Sequence, residues 1–352
     1  MAIYTADRLR AVATTLFKAA GASVHEAKTV AHYSSAANLA GHDSHGVIML
    51  PSYLDRIEKK HIVPGAPFEI KQESPTTTVV DGHWGFGYVV AERAMKMTIE
   101  KAHQQNVAAC TILRQSHVGR VGAYPLLAAK EGMIALMTAD SGRSPKAVAP
   151  FGGAEAKLGT NPIAMAIPSD LPGPFCLDMA TSAVAAGKIG LALAKGSPIP
   201  EGWVVDKHGK PTTNPADFKD GGVLMPLGGP EGHKGYGLAA MVEILSGILP
   251  GLGFGVEPTG RHNDGCFIAC FKVSALRDLP TFRKEVTEFA AYLKATKPSK
   301  GFTEVLYPGE VEYRREQERS KSGIEVEDKT WKVLMDWGKK LGNGRFGQRH
   351  HC

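Results

Sequence analysis

Apolar positions near the start of the chain recur at helical spacing. Leu9, Val12, Leu16 and Phe17 fall on one stripe, which predicts an amphipathic helix over residues 5–20. Ser23 followed by Glu26 has the form of a capping box, so a second helix is expected to start there and run to residue 40. Pro51 suits the first position of a third, short helix. Residues 1–60 therefore read as helical.

From residue 76 the period changes. Thr77 to Val80 reads as a strand that ends at an Asp81-Gly82 turn. Residues 90–104 read as helix, 107–113 as a buried strand, 125–130 as helix and 133–138 as strand. Further strands are expected at 163–167 and 175–177, a helix at 183–194, and a strand running into a turn at 204–209. Residues 236–249 read as a strong helix, 266–273 as a strand and 282–293 as a helix. The tail from Glu310 is charged and partly helical. The mixture predicts an α/β chain with helical ends around a central sheet. The expected organisation is a helical region over 1–75, packed with a C-terminal segment over 310–352, and a central α/β domain over 76–309.

The chain has 352 residues, and 43% of them are hydrophobic, enough for a sizeable core. Lysine and arginine total 41 against 35 acids, a formal charge of +6. No basic block or interleaved aromatic run accompanies that surplus, so nucleic acid is not an expected partner. No apolar run reaches the ~18 residues of a membrane helix, and the N-terminus lacks a signal peptide's apolar core. Five cysteines without framework spacing suit reduced thiols and a cytoplasmic location. Cys266 and Cys270 stand four apart with no second pair, which a strand explains better than zinc. The closing Arg349-His350-His351-Cys352 reads as a tail rather than a metal site, and no metal is expected.

The candidate chemistry is histidine in loops. Gly41-His42-Asp43-Ser44-His45-Gly46-Val47 is followed by Pro51 and Tyr53; Ser116-His117-Val118-Gly119-Arg120 and Gly232-His233-Lys234-Gly235 follow downstream. Imidazole titrates near neutrality, so such clusters can bind anions or move protons. The usual dinucleotide fingerprint is absent. Its nearest match, Gly235-Tyr236-Gly237-Leu238-Ala239-Ala240, is preceded by Pro230-Glu231-Gly232 where a strand is required. A nucleophile elbow also fails, because His42 stands where its first glycine belongs. Glycine-rich loops at 152–153, 159–162, 228–229 and 308–310 are either simple turns or backbone cradles for phosphate and carboxylate.

Six ordered motifs carry a resemblance. They are Ala40 to Gly46, Pro150-Phe151-Gly152-Gly153, Gly159-Thr160-Asn161-Pro162, Leu177-Asp178-Met179-Ala180-Thr181, Pro211-Thr212-Thr213-Asn214-Pro215 and Lys234-Gly235-Tyr236-Gly237-Leu238. Over residues 5–334 the chain resembles the malate/L-lactate dehydrogenase family that lacks a Rossmann fold. That family also includes ureidoglycolate and sulfolactate dehydrogenases and cyclic-imine reductases. The His-Asp-Ser-His-Gly and Ser-His-Val-Gly-Arg forms look most like its hydroxycarboxylate dehydrogenase branch.

The resemblance implies a non-Rossmann α/β fold whose central domain binds NAD, with NADP as the alternative. It also implies a homodimer and the interconversion of 2-hydroxy and 2-oxo acids. By position, His117 matches the proton acceptor and His45 a histidine at the cofactor and substrate pocket. Ser44, Tyr53, Thr160 and Asn161 fall to the substrate. Gly119, Arg120, Val121, Ser141, Leu177, Asp178, Met179, Ala180, His233, Lys234, Asn263, Gly309, Glu310 and Val311 fall to the cofactor. Many members carry arginine four residues after the Ser-His-Gly histidine; here that residue is Met49, and Arg120 is the candidate replacement for clamping a substrate carboxylate. Arg143 and Lys146 are either holders of a 2′-phosphate or solvated loop charges. Two alternatives stand beside the dehydrogenase: a cyclic-imine-2-carboxylate reductase, and a nucleotide-binding protein without catalysis.

Overall fold

The computed structural model describes residues 2–140, 146–256, 261 and 264–342. Ser141, Arg143, Asn263 and the closing 349–352 stretch lie outside the described residues.

The chain opens with β1 (Ala2–Tyr4), α1 (Ala6–Ala19) and α2 (Val24–Leu39). The predicted stripe of α1 is buried. The capping box of α2 closes from both sides: Ser23 Oγ accepts from the Glu26 N–H at 3.2 Å, and the Glu26 carboxylate accepts from the Ser23 N–H at 2.8 Å. Such a cap contributes about 1 kcal/mol. Two short 3₁₀ turns, Asp43–His45 and Val47–Met49, lead into α3 (Leu50–Glu58), with Pro51 in its first turn.

The sheet region follows as β2 (Glu69–Glu73), β3 (Thr77–Gly85), α4 (Gly87–Gln105), β4 (Val107–Gln115), α5 (Pro125–Lys130), β5 (Met133–Asp140), β6 (Ile163–Ile167) and β7 (Phe175–Met179). Next come α6 (Ala186–Lys195), a small sheet of β8 (Val204–Val205), β9 (Pro211–Thr212) and β10 (Val223–Leu224), then α7 (His233–Glu243) and β11 (Asp264–Lys272). The chain closes with α8 (Leu279–Lys294), α9 (Glu310–Ser322), β12 (Ile324–Val326) and α10 (Asp328–Lys340).

Seven strands form the main sheet in the order β2-β3-β4-β11-β5-β6-β7. Among the described residues only the β3–β4 pair of this sheet is parallel. A doubly wound dinucleotide fold needs a mostly parallel sheet, so this mixed sheet is a different α/β architecture. One continuous core joins α1 to α5 with the sheet's central strands; a smaller cluster around Val148, Ile189, Val204 and Leu224 supports the β8–β10 sheet.

Several elements differ from the sequence expectation. Asp81-Gly82 does not end β3. The strand passes through a bulge between Asp81 and Gly85, with His83 and Trp84 at φ 45° and 60°. The Asp81 carboxylate accepts from the His83 N–H and the Arg114 guanidinium, which holds the bulge. α6 starts three residues later than expected, because Ser182 is bridged to Pro226. α7 starts earlier, at His233, and runs into a π-turn at Ile244–Ile248. β2, inside the stretch read as helical, pairs with β3 and is largely exposed.

The two ends of the chain are tied together. β1 pairs with β12, and Tyr4 stacks on Trp331 at 3.9 Å between centroids. α9 lies against α2, and α10 against α3.

Candidate active site

The His45 loop is gripped from two sides. On the α2 side, Asn38 Nδ2 donates to Asp43 Oδ1 at 2.7 Å and its Oδ1 accepts from the Val47 N–H at 2.9 Å. A Cβ at Gly46 would overlap that carboxamide, so only glycine lets the loop close so tightly. On the other side, α9 supplies Arg319, whose two terminal nitrogens donate to Asp43 at 2.7 and 2.9 Å. The same guanidinium donates to the Asn38 carbonyl. Glu312 pairs with His42 at 3.2 Å, and this hydrogen bond holds its carboxyl below the usual range. Ser44 Oγ then sits 2.9 Å from His45 Nδ1. Burial lowers the His45 pKa, and the neighbouring His42 adds to that shift.

His117 follows the end of β4, and its neighbours are pinned. The Val118 N–H donates to Asp264 Oδ2, the first residue of β11, at 3.0 Å. The Val118 carbonyl accepts from the Tyr124 hydroxyl at 2.6 Å. Gly119 adopts φ +70° with its backbone against the Tyr88 ring, where any side chain would collide. The His117 and His45 rings lie 5.7 Å apart with planes 23° from parallel. Loops separated by 72 residues therefore meet face to face.

Arg120 comes one turn further. Its Nε donates to Asp178 Oδ2 at 2.8 Å, and the pair is 11% and 9% exposed. Asp178 lies in the edge strand β7, and both charges act on His45. Neither terminal nitrogen of Arg120 carries a hydrogen bond among the described residues. Val121 is buried behind this pair, Leu177 is exposed, and Met179 and Ala180 are half-buried along the same edge.

The start of α7 is linked to the residues that follow β7. Gly235 packs on the Leu227 backbone, and the Leu227 N–H donates to the Thr181 carbonyl at 2.9 Å. That contact ties α7 to the end of β7. His233 and Lys234 are exposed there, Lys234 is 3.2 Å from Glu231, and among the described residues no side chain caps the helix. The Thr160 carbonyl accepts from both the N–H and hydroxyl of Thr181.

Four of the expected site residues are buried and already partnered within the chain. Tyr53, expected at the substrate, is 1% exposed, and its hydroxyl lies 2.6 Å from His117 Nδ1. Asn161 is fully buried, and its amide donates to the Ala239 carbonyl and to Glu243, both at 2.9 Å. Lys146 is neither a solvated charge nor open to a phosphate; its amine is 3% exposed and pairs with Glu243 at 3.0 Å and Asp140 at 3.3 Å. Glu310 is buried and bound to Lys294, Arg314 and the Tyr307 N–H. Gly309 in the same turn is half-buried against Pro174 and Cys176, and Val311 is exposed.

The sequence pattern of the malate/L-lactate dehydrogenases matches residues 4–335. The chain belongs to that family. It is 35% identical over 343 residues to hydroxycarboxylate dehydrogenase B of Escherichia coli K12, covering 96% of this chain and 94% of that protein. It is 38% identical to L-sulfolactate dehydrogenase of Methanocaldococcus jannaschii, covering 93% and 94%. Among solved structures, malate dehydrogenase of Entamoeba histolytica superposes with a TM-score of 0.92 at 32% identity, covering 97% of this chain and 98% of that one. The Δ1-piperideine-2-carboxylate reductase of Pseudomonas syringae superposes at 0.84 with 26% identity, covering 96% and 100%. The expected non-Rossmann fold is thus the fold of this dehydrogenase, and its chemical class is that of the family's oxidoreductases.

Sequence reasoning missed Asn38, Tyr88, Asp264, Glu312 and Arg319. Each acts through a contact 9 to 276 residues away, and no local pattern marks it. Among the described residues no helix is long and apolar enough to cross a membrane.

Proposed function

We propose that this chain is an NAD(P)-dependent dehydrogenase that interconverts 2-hydroxy and 2-oxo acids. The observation that carries the reading is the 5.7 Å approach of the His45 and His117 rings beside the Arg120–Asp178 pair. The donor set suits a dinucleotide. The uncapped N-terminus of α7, with exposed His233 and Lys234, fits an anion. The exposed Leu177 edge fits apolar ring surface. The cofactor, when bound, supplies hydride exchange.

The chain's own residues supply the rest. His117 takes the hydroxyl proton during oxidation and returns it to the carbonyl oxygen during reduction. The Arg120 guanidinium, oriented through Nε by Asp178, presents its terminal nitrogens to the substrate carboxylate. His45 stays neutral because it is buried; with the Ser44 hydroxyl donating to Nδ1, its Nε2–H points a hydrogen bond at a substrate oxygen. In this reading Tyr53 and Asn161 hold the site together rather than touch substrate.

The reading is tested by following NADH and NADPH oxidation over a panel of 2-oxo acids. Turnover of at least one acid is expected, with kcat reduced about 100-fold or more in His117→Ala. Absence of turnover with either cofactor overturns it. A cyclic imine carboxylate belongs in the same panel, because the solved reductase shares the fold; faster turnover of the imine than of any 2-oxo acid selects that reading.

A homodimer belongs to the proposal. Met241, Ile244, Ile248, Leu249, Phe254 and Val256 form an exposed apolar run at the end of α7, of the kind that partner surfaces cover. Sedimentation at micromolar concentration is expected to give twice the mass of the 37.5 kDa chain.

A further inference from the structure

We propose that Tyr53 and Tyr88 form a relay that fixes the Nδ1-protonated tautomer of His117, leaving Nε2 as the atom that exchanges the substrate proton. What Nε2 meets rests on the dehydrogenase reading; the tautomer does not.

The relay is a chain of three contacts. His117 Nδ1 lies 2.6 Å from the Tyr53 hydroxyl. That hydroxyl lies 3.1 Å from the Tyr88 hydroxyl. Tyr88 in turn donates to the backbone carbonyl of His45 at 3.5 Å. Each phenol has a single proton to give, whereas a carbonyl can only accept. Taking the carbonyl as the acceptor end gives one polarity, in which the Ser34 hydroxyl, which also bonds Tyr88, donates to it. Tyr88 gives its proton to His45, Tyr53 gives its proton to Tyr88, and Tyr53 is left to accept from an N–H at His117 Nδ1. A neutral imidazole carries one N–H, so the lone pair is on Nε2.

The opposite polarity works against the chemistry. If Tyr53 donated to Nδ1, the imidazole proton would sit on Nε2, which then has no lone pair to receive another. With Nδ1–H donating, His117 can gain a second proton at Nε2 and keep the same bond to Tyr53, now strengthened by charge. No buried hydroxyl has to turn round during the cycle. Tyr53 and Tyr88 are 1% and 2% exposed. Burial pushes both phenols upward, so neither ionises near neutral pH. Titratable groups near His117 include His45 from its loop, Tyr53 of α3, Tyr88 of α4 and Asp264 of β11. The far end of the relay is the backbone of His45, so one hydrogen-bonded chain connects the two candidate histidines.

Tyr53 is therefore a positioning residue, and ¹⁵N NMR of the histidine-labelled full chain tests it. The His117 signal, identified by its loss in His117→Gln, is expected to show a protonated Nδ1 and a bare Nε2 at pH 8. In Tyr53→Phe that preference is expected to fall away. Its kcat should drop about tenfold while KM stays within about twofold, because a charge-assisted bond is lost. The acid limb of the oxidation profile should move about one pH unit lower, since the imidazolium has lost its acceptor. If Tyr53→Phe does not fold, Tyr88→Phe replaces it; there Tyr53 has no acceptor, turns to donate to Nδ1, and moves the proton to Nε2. An Nε2–H tautomer in the unmodified chain overturns the relay, as does an unchanged tautomer in the folded variant. A chain with the expected tautomer that turns over no 2-oxo acid overturns the activity and leaves the relay standing.

Discussion

Arg120 and Asp178 show how much a single pair decides at the residue scale. The pair is nearly buried, so Asp178 fixes where the guanidinium points, and the geometry suits a carboxylate. Arg120→Met should raise KM for a 2-oxo acid about tenfold to a hundredfold, the range expected when a charged hydrogen bond is lost. Steady-state kinetics check this; a rise in the cofactor Kd with unchanged KM would move Arg120 to the phosphates instead. Gly119 makes a separate prediction. Alanine there must adopt φ +70° and push into the Tyr88 ring. Gly119→Ala should destabilise the fold by about 1–3 kcal/mol, measured as a lower denaturation midpoint. His45 is expected to titrate below its ordinary 6.5, because burial disfavours the cation. An NMR titration with a midpoint above 6.5 would contradict the neutral role assigned to it.

Among elements, α9 is the one whose role no local reading of the chain suggests. It holds the 42–46 loop through Arg319 on Asp43 and Glu312 on His42. Arg319→Met should reduce kcat about tenfold, losing one charge-assisted anchor of the loop, with little effect on cofactor binding; equal activity would show that Asn38 alone suffices. What was legible at this scale had strong period or cap chemistry. The α1 stripe and the Ser23–Glu26 box appear where the pattern placed them, and α3 starts at Leu50, one residue before the expected Pro51. The bulge in β3 was not legible, because Asp81-Gly82 has the residues of a turn and Arg114 is what carries the strand on past it. β2 was missed for a simpler reason: Glu69, Lys71 and Glu73 make a polar edge strand with little alternation to read. For the site, the three histidine loops were visible as motifs. The meeting of the His45 and His117 loops was not, since Asp264 and Arg319 reach them from remote elements.

The whole molecule carries its charge inside as well as at the site. Lys146 sits between Asp140 and Glu243 beneath the sheet, and burial pushes the Asp140 carboxyl up to about 7. An acid raised from 3.8 in this way costs stability as pH rises toward its folded value, and Lys146 offsets that cost. Lys146→Met should therefore destabilise by about 3–5 kcal/mol, and more at pH 8 than at pH 5, where the Asp140 carboxyl can take a proton. Thermal melts at the two pH values check the sign. Cys110, Cys176, Cys266 and Cys270 are buried free thiols whose pKa values burial raises. Their peptides should resist alkylation in the native state and label only after unfolding.

These scales meet in one assertion, that loops far apart in the chain bring His117 to the reacting carbon and give it the proton to carry. The most direct test is single-turnover kinetics of His117→Ala with and without free imidazole. The account predicts a rate about 100-fold or more below the unmodified enzyme, an unchanged cofactor Kd, and partial recovery on adding imidazole. A rate within about twofold of the unmodified enzyme, less than even a weak acid–base catalyst contributes, would contradict it.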